Sequence, residues 1–113
     1  MHELGLMESA IEAALESAEE SGATRILQVN LRVGKMSGVD PDAMRFAFEV
    51  VSADTIAAGA TLNIEEIPAL CECATCGLNY APESHDYSCP ADREHRTRIV
   101  SGTELEIRSM EVC

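Results

Sequence analysis

The stretch from Cys71 to Arg98 contains one large aliphatic residue, Leu78, yet holds four of the five cysteines, two of the three histidines and two of the four prolines. Such a segment cannot bury enough apolar surface to offset the entropy of ordering it, so something other than a hydrophobic core must hold it. Cys73-Ala74-Thr75-Cys76-Gly77 supplies the means. Two thiolates separated by two residues can bind one tetrahedral zinc ion, and Gly77 allows the backbone to turn beneath them. A second such knuckle is expected a dozen or more residues later. That place reads Cys89-Pro90-Ala91-Asp92, with Asp92 where a second thiolate would stand. Cys73, Cys76, Cys89 and Asp92 are therefore the first candidate set for zinc, because a carboxylate oxygen is an acceptable fourth ligand.

His95 is the alternative fourth ligand, since the chain can loop back over five residues to Cys89. Cys71 is a third choice, cramped by Cys73, and Cys113 could return at the end of the last strand. His85 lies outside both knuckles and reads as a nearby surface residue. Buried free thiols or a redox pair are the competing explanation. A redox Cys-x-x-Cys belongs at a strand-to-helix junction, which this segment lacks. Three thiolates plus a fourth ligand leave no open position, so the site is expected to be structural. A zinc nucleobase deaminase does not fit, because its His-x-Glu and Pro-Cys-x-x-Cys elements are missing in that order and spacing.

The rest of the chain has ordinary periodicity. Leu4, Met7, Ile11, Leu15 and Ala18 lie on one helical face, with Glu8, Glu12, Glu16, Glu19 and Glu20 mostly elsewhere, and Gly22 follows as a stop. Leu27, Val29, Leu31 and Val33 alternate with Gln28, Asn30 and Arg32, which predicts a strand with those four apolar residues inward. Asp40-Pro41 is a helix start, with Met44, Ala47, Phe48 and Val51 as its apolar stripe. Thr61–Glu66 reads as a strand with Leu62 and Ile64 inward, ended by Pro68. A last alternating run places Leu105 and Ile107 inward. The order is helix, strand, helix, strand, cysteine insert, strand.

With two Phe, two Tyr and no Trp, the core must be mostly aliphatic. Twenty acidic residues against eight basic ones, a net charge of −12, argue against a nucleic-acid or anionic-membrane partner, whose phosphates need clustered Lys and Arg. Arg93, Arg96 and Arg98 are a local exception. No basic n-region or apolar span of membrane length is visible, so a cytoplasmic protein is expected. No nucleophile–base pair, phosphate-binding glycine loop or opposed carboxylates point to an enzyme.

The first residues, Met1-His2-Glu3-Leu4, then need an account. By position alone His2 reads as a frayed end. The Met1 α-amine, the His2 backbone nitrogen and the His2 imidazole can, however, close adjoining chelate rings on one metal. Three coplanar nitrogens suit Ni(II) or Cu(II) better than zinc, and a carboxylate from Glu3 or Asp40 could complete the set. Protons compete for amine and imidazole donors near neutrality, which suits a site that passes its metal on.

Met1-His2-Glu3-Leu4, Gly22-Ala23, Arg32-Val33-Gly34, Phe48, Gly59-Ala60, the cysteine insert and Gly102-x-Glu104-Leu105-x-Ile107 together resemble the HypA/HybF family over the full length. These are nickel-incorporation proteins of [NiFe]-hydrogenase maturation. The resemblance implies an α/β (α+β) fold, a three-stranded sheet packed with two helices, carrying an inserted zinc-binding domain. The corresponding division is residues 1–70 and 99–113 for the nickel-binding part and 71–98 for the insert. It implies Ni(II) at Met1, His2 and Glu3, with Asp40 as a further ligand, and Zn(II) in the insert. It implies delivery of nickel to the hydrogenase large subunit with a HypB-type GTPase, and in some members a role in urease maturation. Asp92 departs from the family, which has a fourth cysteine there. The competing function is a zinc-ribbon protein–protein interaction module in which His2 is incidental.

Overall fold

The computed structural model describes residues 2–82 and 86–113. Helix α1, His2–Glu20, runs straight from the N-terminal segment. It is followed by strand β1, Ile26–Gly34, and helix α2, Pro41–Ser52. Strand β2, Thr61–Ile67, leads into β3, Leu70–Cys73, and β4, Asn79–Tyr80. Strands β5, Thr97–Ser101, and β6, Leu105–Val112, complete the chain. Among the described residues no helix is long and apolar enough to cross a membrane.

Two three-stranded sheets result, ordered β2-β1-β6 and β4-β3-β5. β1 is central in the first, parallel to β2 and antiparallel to β6. The β1–α2–β2 crossover places α2 against the sheet, and α1 packs beside it. The core joins Met7, Ile11, Ala14 and Ala18 of α1 to Val29, Leu31 and Val33 of β1 and Met44, Ala47 and Phe48 of α2. Burial of a side chain such as Phe48 contributes about 1.5–3 kcal/mol.

The helical stripes are those the spacing predicts, with Leu4, Leu15 and Val51 at the margin of the core. The strand alternation is corrected at one end. Leu27 is 45% exposed, whereas Ile26 is buried. The pairing of β1 with β6 slips between Ile26 and Gln28, so Leu27 is an extra residue on β1 that resets which neighbours face inward. A second slip, opposite Asn30 and Leu31, inserts Arg108 into β6. It explains why Ile107 and Met110, three residues apart, both pack against the core; Leu105, paired with Val33 on the same face as Ile107, is 38% exposed, not inward as expected.

The sheets meet at a tight backbone clasp. Gly34 N–H donates to Glu104 O at 2.7 Å, Lys35 N–H to Ile67 O at 2.9 Å and Met36 N–H to Gly102 O at 2.7 Å. Glu104 also accepts from Gly102 N–H through its side chain, at 2.7 Å. Gly102 has φ +109°, a conformation open to glycine, and a Cβ there would lie 2.7 Å from Ala69 Cα. A Cβ on Gly34 would collide with the Gly102 carbonyl and approach Thr103 N to 2.6 Å. Both obstacles are backbone and cannot rotate away. Gly34→Ala is therefore expected to cost about 3 kcal/mol or more of stability, at the upper end for overpacking. Urea unfolding measures this, and a loss under about 1 kcal/mol would show that the clasp yields.

Candidate metal centres

Three thiols and an imidazole converge in the insert. The ligand atoms of Cys73, Cys76, Cys89 and His95 all lie within 4.8 Å of one another. Cys73 ends β3, which is flanked by β4 and β5. The turn after it closes with Gly77 N–H donating to Cys73 O at 2.8 Å and Gly77 at φ +70°. Cys76 N–H donates to Cys73 Sγ at 3.3 Å, the knuckle expected of Cys-x-x-Cys. The approach to Cys89 is held by Tyr80, whose hydroxyl donates to Tyr87 O at 2.6 Å, and by Thr97, whose hydroxyl donates to the same oxygen at 3.1 Å.

The donor set fits a zinc ion. Zn–S bonds of about 2.3 Å and Zn–N bonds of about 2.0–2.1 Å set tetrahedral edges of about 3.8 Å for S···S and about 3.5 Å for S···N. Cys76 Sγ lies 3.9 Å from Cys89 Sγ. His95 Nδ1 lies 3.3 Å from Cys76 Sγ and 3.6 Å from Cys73 Sγ. These three edges match those of a tetrahedron, and the remaining pairs lie within 4.8 Å.

Of the two candidates for the fourth corner, only one is gathered with the thiols. The group gathered with the thiols is the His95 imidazole, and the Asp92 carboxylate stands behind it, with Oδ2 3.6 Å from His95 Nε2. The physical reason is local. Asp92 uses Oδ1 to accept from Glu94 N–H at 2.9 Å, and its carbonyl accepts from His95 N–H at 3.1 Å. This Asx turn tightens the chain after Cys89-Pro90 and swings His95 inward. The sequence signal for this turn is Asp92 two positions before the N–H of Glu94.

The remaining candidates stand elsewhere. Cys71 is fully buried but outside the four-residue group. Cys113 is paired through its backbone with Arg25 at the start of β1. His85 lies outside the described residues. Of the arginines, Arg93 pairs with Asp86 at 2.8 Å and Arg98 with Glu72 at 2.8 Å.

The thiols differ in acidity. Burial opposes ionisation of Cys73, but the backbone N–H groups of Cys76 and Thr75 outweigh it and hold its thiol below the ordinary value. The Asp92 backbone N–H does the same for Cys89, against burial. Cys76 is pushed up to about 11, first by its hydrogen bond with Cys73 and then by burial and Cys89. A cation placed among them would take over from the proton that Cys76 keeps.

The second group lies at the start of α1. His2 Nε2 is 3.2 Å from Glu3 Oε2, with His2 56% and Glu3 16% exposed. The same Glu3 oxygen accepts from Asp40 N–H at 3.3 Å, which pins the start of α1 to the start of α2. Backbone N–H groups of Glu3 and Asp40, against burial, and the nearby His2 hold the Glu3 carboxyl below its ordinary value. Asp40 Oδ1 caps α2 by accepting from Asp42 N–H at 3.0 Å. The His2 and Glu3 side chains are thus paired, whereas Asp40, also expected as a ligand, meets Glu3 through its backbone N–H and spends its carboxylate on the cap of α2; Met1 lies outside the described residues.

Residues 1–112 match the family model described as "Hydrogenase/urease nickel incorporation, metallochaperone, hypA". The chain belongs to the HypA family. HypA proteins are metallochaperones of hydrogenase maturation, not enzymes. The chain is 46% identical to the hydrogenase maturation factor HypA of Rhizobium leguminosarum bv. viciae over 112 residues, covering 99% of each chain. It is 40% identical to HypA of a Picosynechococcus species over 112 residues, again covering 99% of each. Its fold is similar to that of the nickel metallochaperone HypA from Helicobacter pylori, with TM-score 0.68, 25% identity and coverage of 97% and 96%. A second HypA solution structure aligns with TM-score 0.75 and 27% identity, covering 100% of this chain and 97% of that one. The α+β fold, two helices with two small sheets, is therefore a HypA fold.

Proposed function

We propose that this HypA protein binds Ni(II) at its N-terminal segment and delivers it during [NiFe]-hydrogenase maturation, while Zn(II) holds the insert. The observation that supports the nickel reading is the His2–Glu3 pair, tied to the second helix through the Asp40 backbone. An exposed imidazole lies 3.2 Å from a carboxylate that is anchored, at 3.3 Å, to the backbone of the second helix. The Met1 α-amine and the His2 backbone nitrogen add planar nitrogen donors beside that imidazole. Exposure lets the ion enter and leave, and protonation of the nitrogen donors loosens it.

In this reading residues 1–70 and 99–113 form the nickel-handling part and residues 71–98 the zinc-holding insert, whose sheet also takes in Leu70 and Ile99–Ser101 from its flanks. Cys73, Cys76, Cys89 and His95 hold the zinc, with no position left for a reacting group. The recipient is the hydrogenase large subunit, with a HypB-type GTPase as partner and urease maturation proteins as a further destination. The setting is the cytoplasm.

Absorption spectroscopy of the zinc-loaded chain with one equivalent of Ni(II) tests the nickel site. A weak ligand-field band of planar, nitrogen-rich Ni(II) is expected at neutral pH and should fade as the pH falls below the imidazole range. A spectrum of octahedral aqua Ni(II) throughout would sink the proposal.

A further inference from the structure

We infer that Asp92 is a positioning residue of the insert's metal centre, whose carboxylate orients the His95 imidazole so that Nδ1 faces the metal. The inference rests on the zinc reading above and adds a role for the residue that departs from the family pattern.

The geometry gives each part of Asp92 a separate task. Its backbone N–H is directed to Cys89 Sγ, as Cys76 N–H is directed to Cys73 Sγ, so the second knuckle survives without its thiol. Its carboxylate Oδ1 accepts from Glu94 N–H at 2.9 Å and holds the turn that delivers His95. Its Oδ2 is left to face His95 Nε2 at 3.6 Å, on the opposite side of the ring from the sulfurs. A carboxylate on the remote nitrogen keeps the proton on Nε2 and leaves the Nδ1 lone pair free for a cation. The 3.6 Å gap closes to a hydrogen bond on a small rotation of either side chain. The substitution of a thiolate by Asp92 is thereby matched by a histidine three residues on, with the new carboxylate supporting the new ligand instead of replacing the old one.

Asp92→Asn separates this role from direct ligation and from the turn. The asparagine oxygen can still cap Glu94 N–H, and the backbone N–H to Cys89 is untouched, but the remote imidazole N–H loses its anionic acceptor. Zinc affinity, measured by competition with a chelator, should fall about 10–100-fold. The Co(II)-substituted protein should keep a three-sulfur, one-nitrogen spectrum, and solvent exchange of His95 Nε2–H in the zinc-loaded protein should quicken by NMR. Asp92→Ser, which also retains a turn-capping oxygen, should give the same three results. Affinity within twofold of wild type and unchanged Nε2–H exchange would overturn the inference, as would a cobalt spectrum that reports a lost oxygen donor. Full zinc affinity in His95→Ala would instead overturn the underlying zinc assignment, whatever Asp92 does.

Discussion

His2→Ala is expected to abolish specific Ni(II) binding while leaving zinc content, both sheets and thermal stability unchanged. In the proposed site the imidazole closes the chelate with the neighbouring nitrogens, and its side chain is 56% exposed, so its removal opens no cavity. Its loss should weaken nickel by more than the roughly 10–100-fold that follows loss of an outer partner. The Glu3 bond to Asp40 N–H does not need His2, so α1 and α2 stay joined. One residue added ahead of Met1 should weaken nickel similarly by moving the amine away from the imidazole. Isothermal titration with Ni(II) on zinc-loaded protein measures both variants. Retention of wild-type affinity in both would reduce the molecule to a zinc-stabilised domain with no nickel site at this end.

Zinc removal, by chelator or by Cys89→Ser, should disorder Leu70–Ser101 and spare the β2-β1-β6 sheet. Among the described residues of that segment the only buried side chains are Cys71, Cys73 and Cys89. Its large apolar residues do not form a core, with Leu78, Ile99 and Val100 each 42–49% exposed. A structural zinc site of thiolates and imidazole contributes an apparent 10–16 kcal/mol, roughly, and here nothing else of that size holds the segment. The first sheet has its own core on α1 and α2 and should keep slow amide exchange. Hydrogen exchange resolves the two regions. Unchanged protection of β3 and β5 in metal-free protein would show that their hydrogen bonds and the clasp at Gly34 and Gly102 suffice without the ion.

Local patterns decided much of this molecule in advance. The stripe Met7, Ile11 and Ala18 and the stripe Met44, Ala47 and Phe48 each report a helix face, because helical neighbours lie three or four residues apart. The Asp40-Pro41 start is equally local, since capping joins the carboxylate to an N–H two residues on. Cys73 and Cys76 advertise a shared ion by spacing alone. Each of these depends on residues within a turn or two of each other.

What the tertiary structure decided depends on segments far apart. Which of Ile26 and Leu27 faces the core is set by pairing with β6, about eighty residues away, where a bulge shifts the register. The need for glycine at both Gly34 and Gly102 comes from two backbones meeting at the junction of the sheets. His95 is the group gathered with the three thiols because the Asp92 turn and the pairing of β3 with β5 fix where that imidazole ends up. A linear spacing lists the donors within reach of an ion, but only the folded path of the backbone sets which of them points at it.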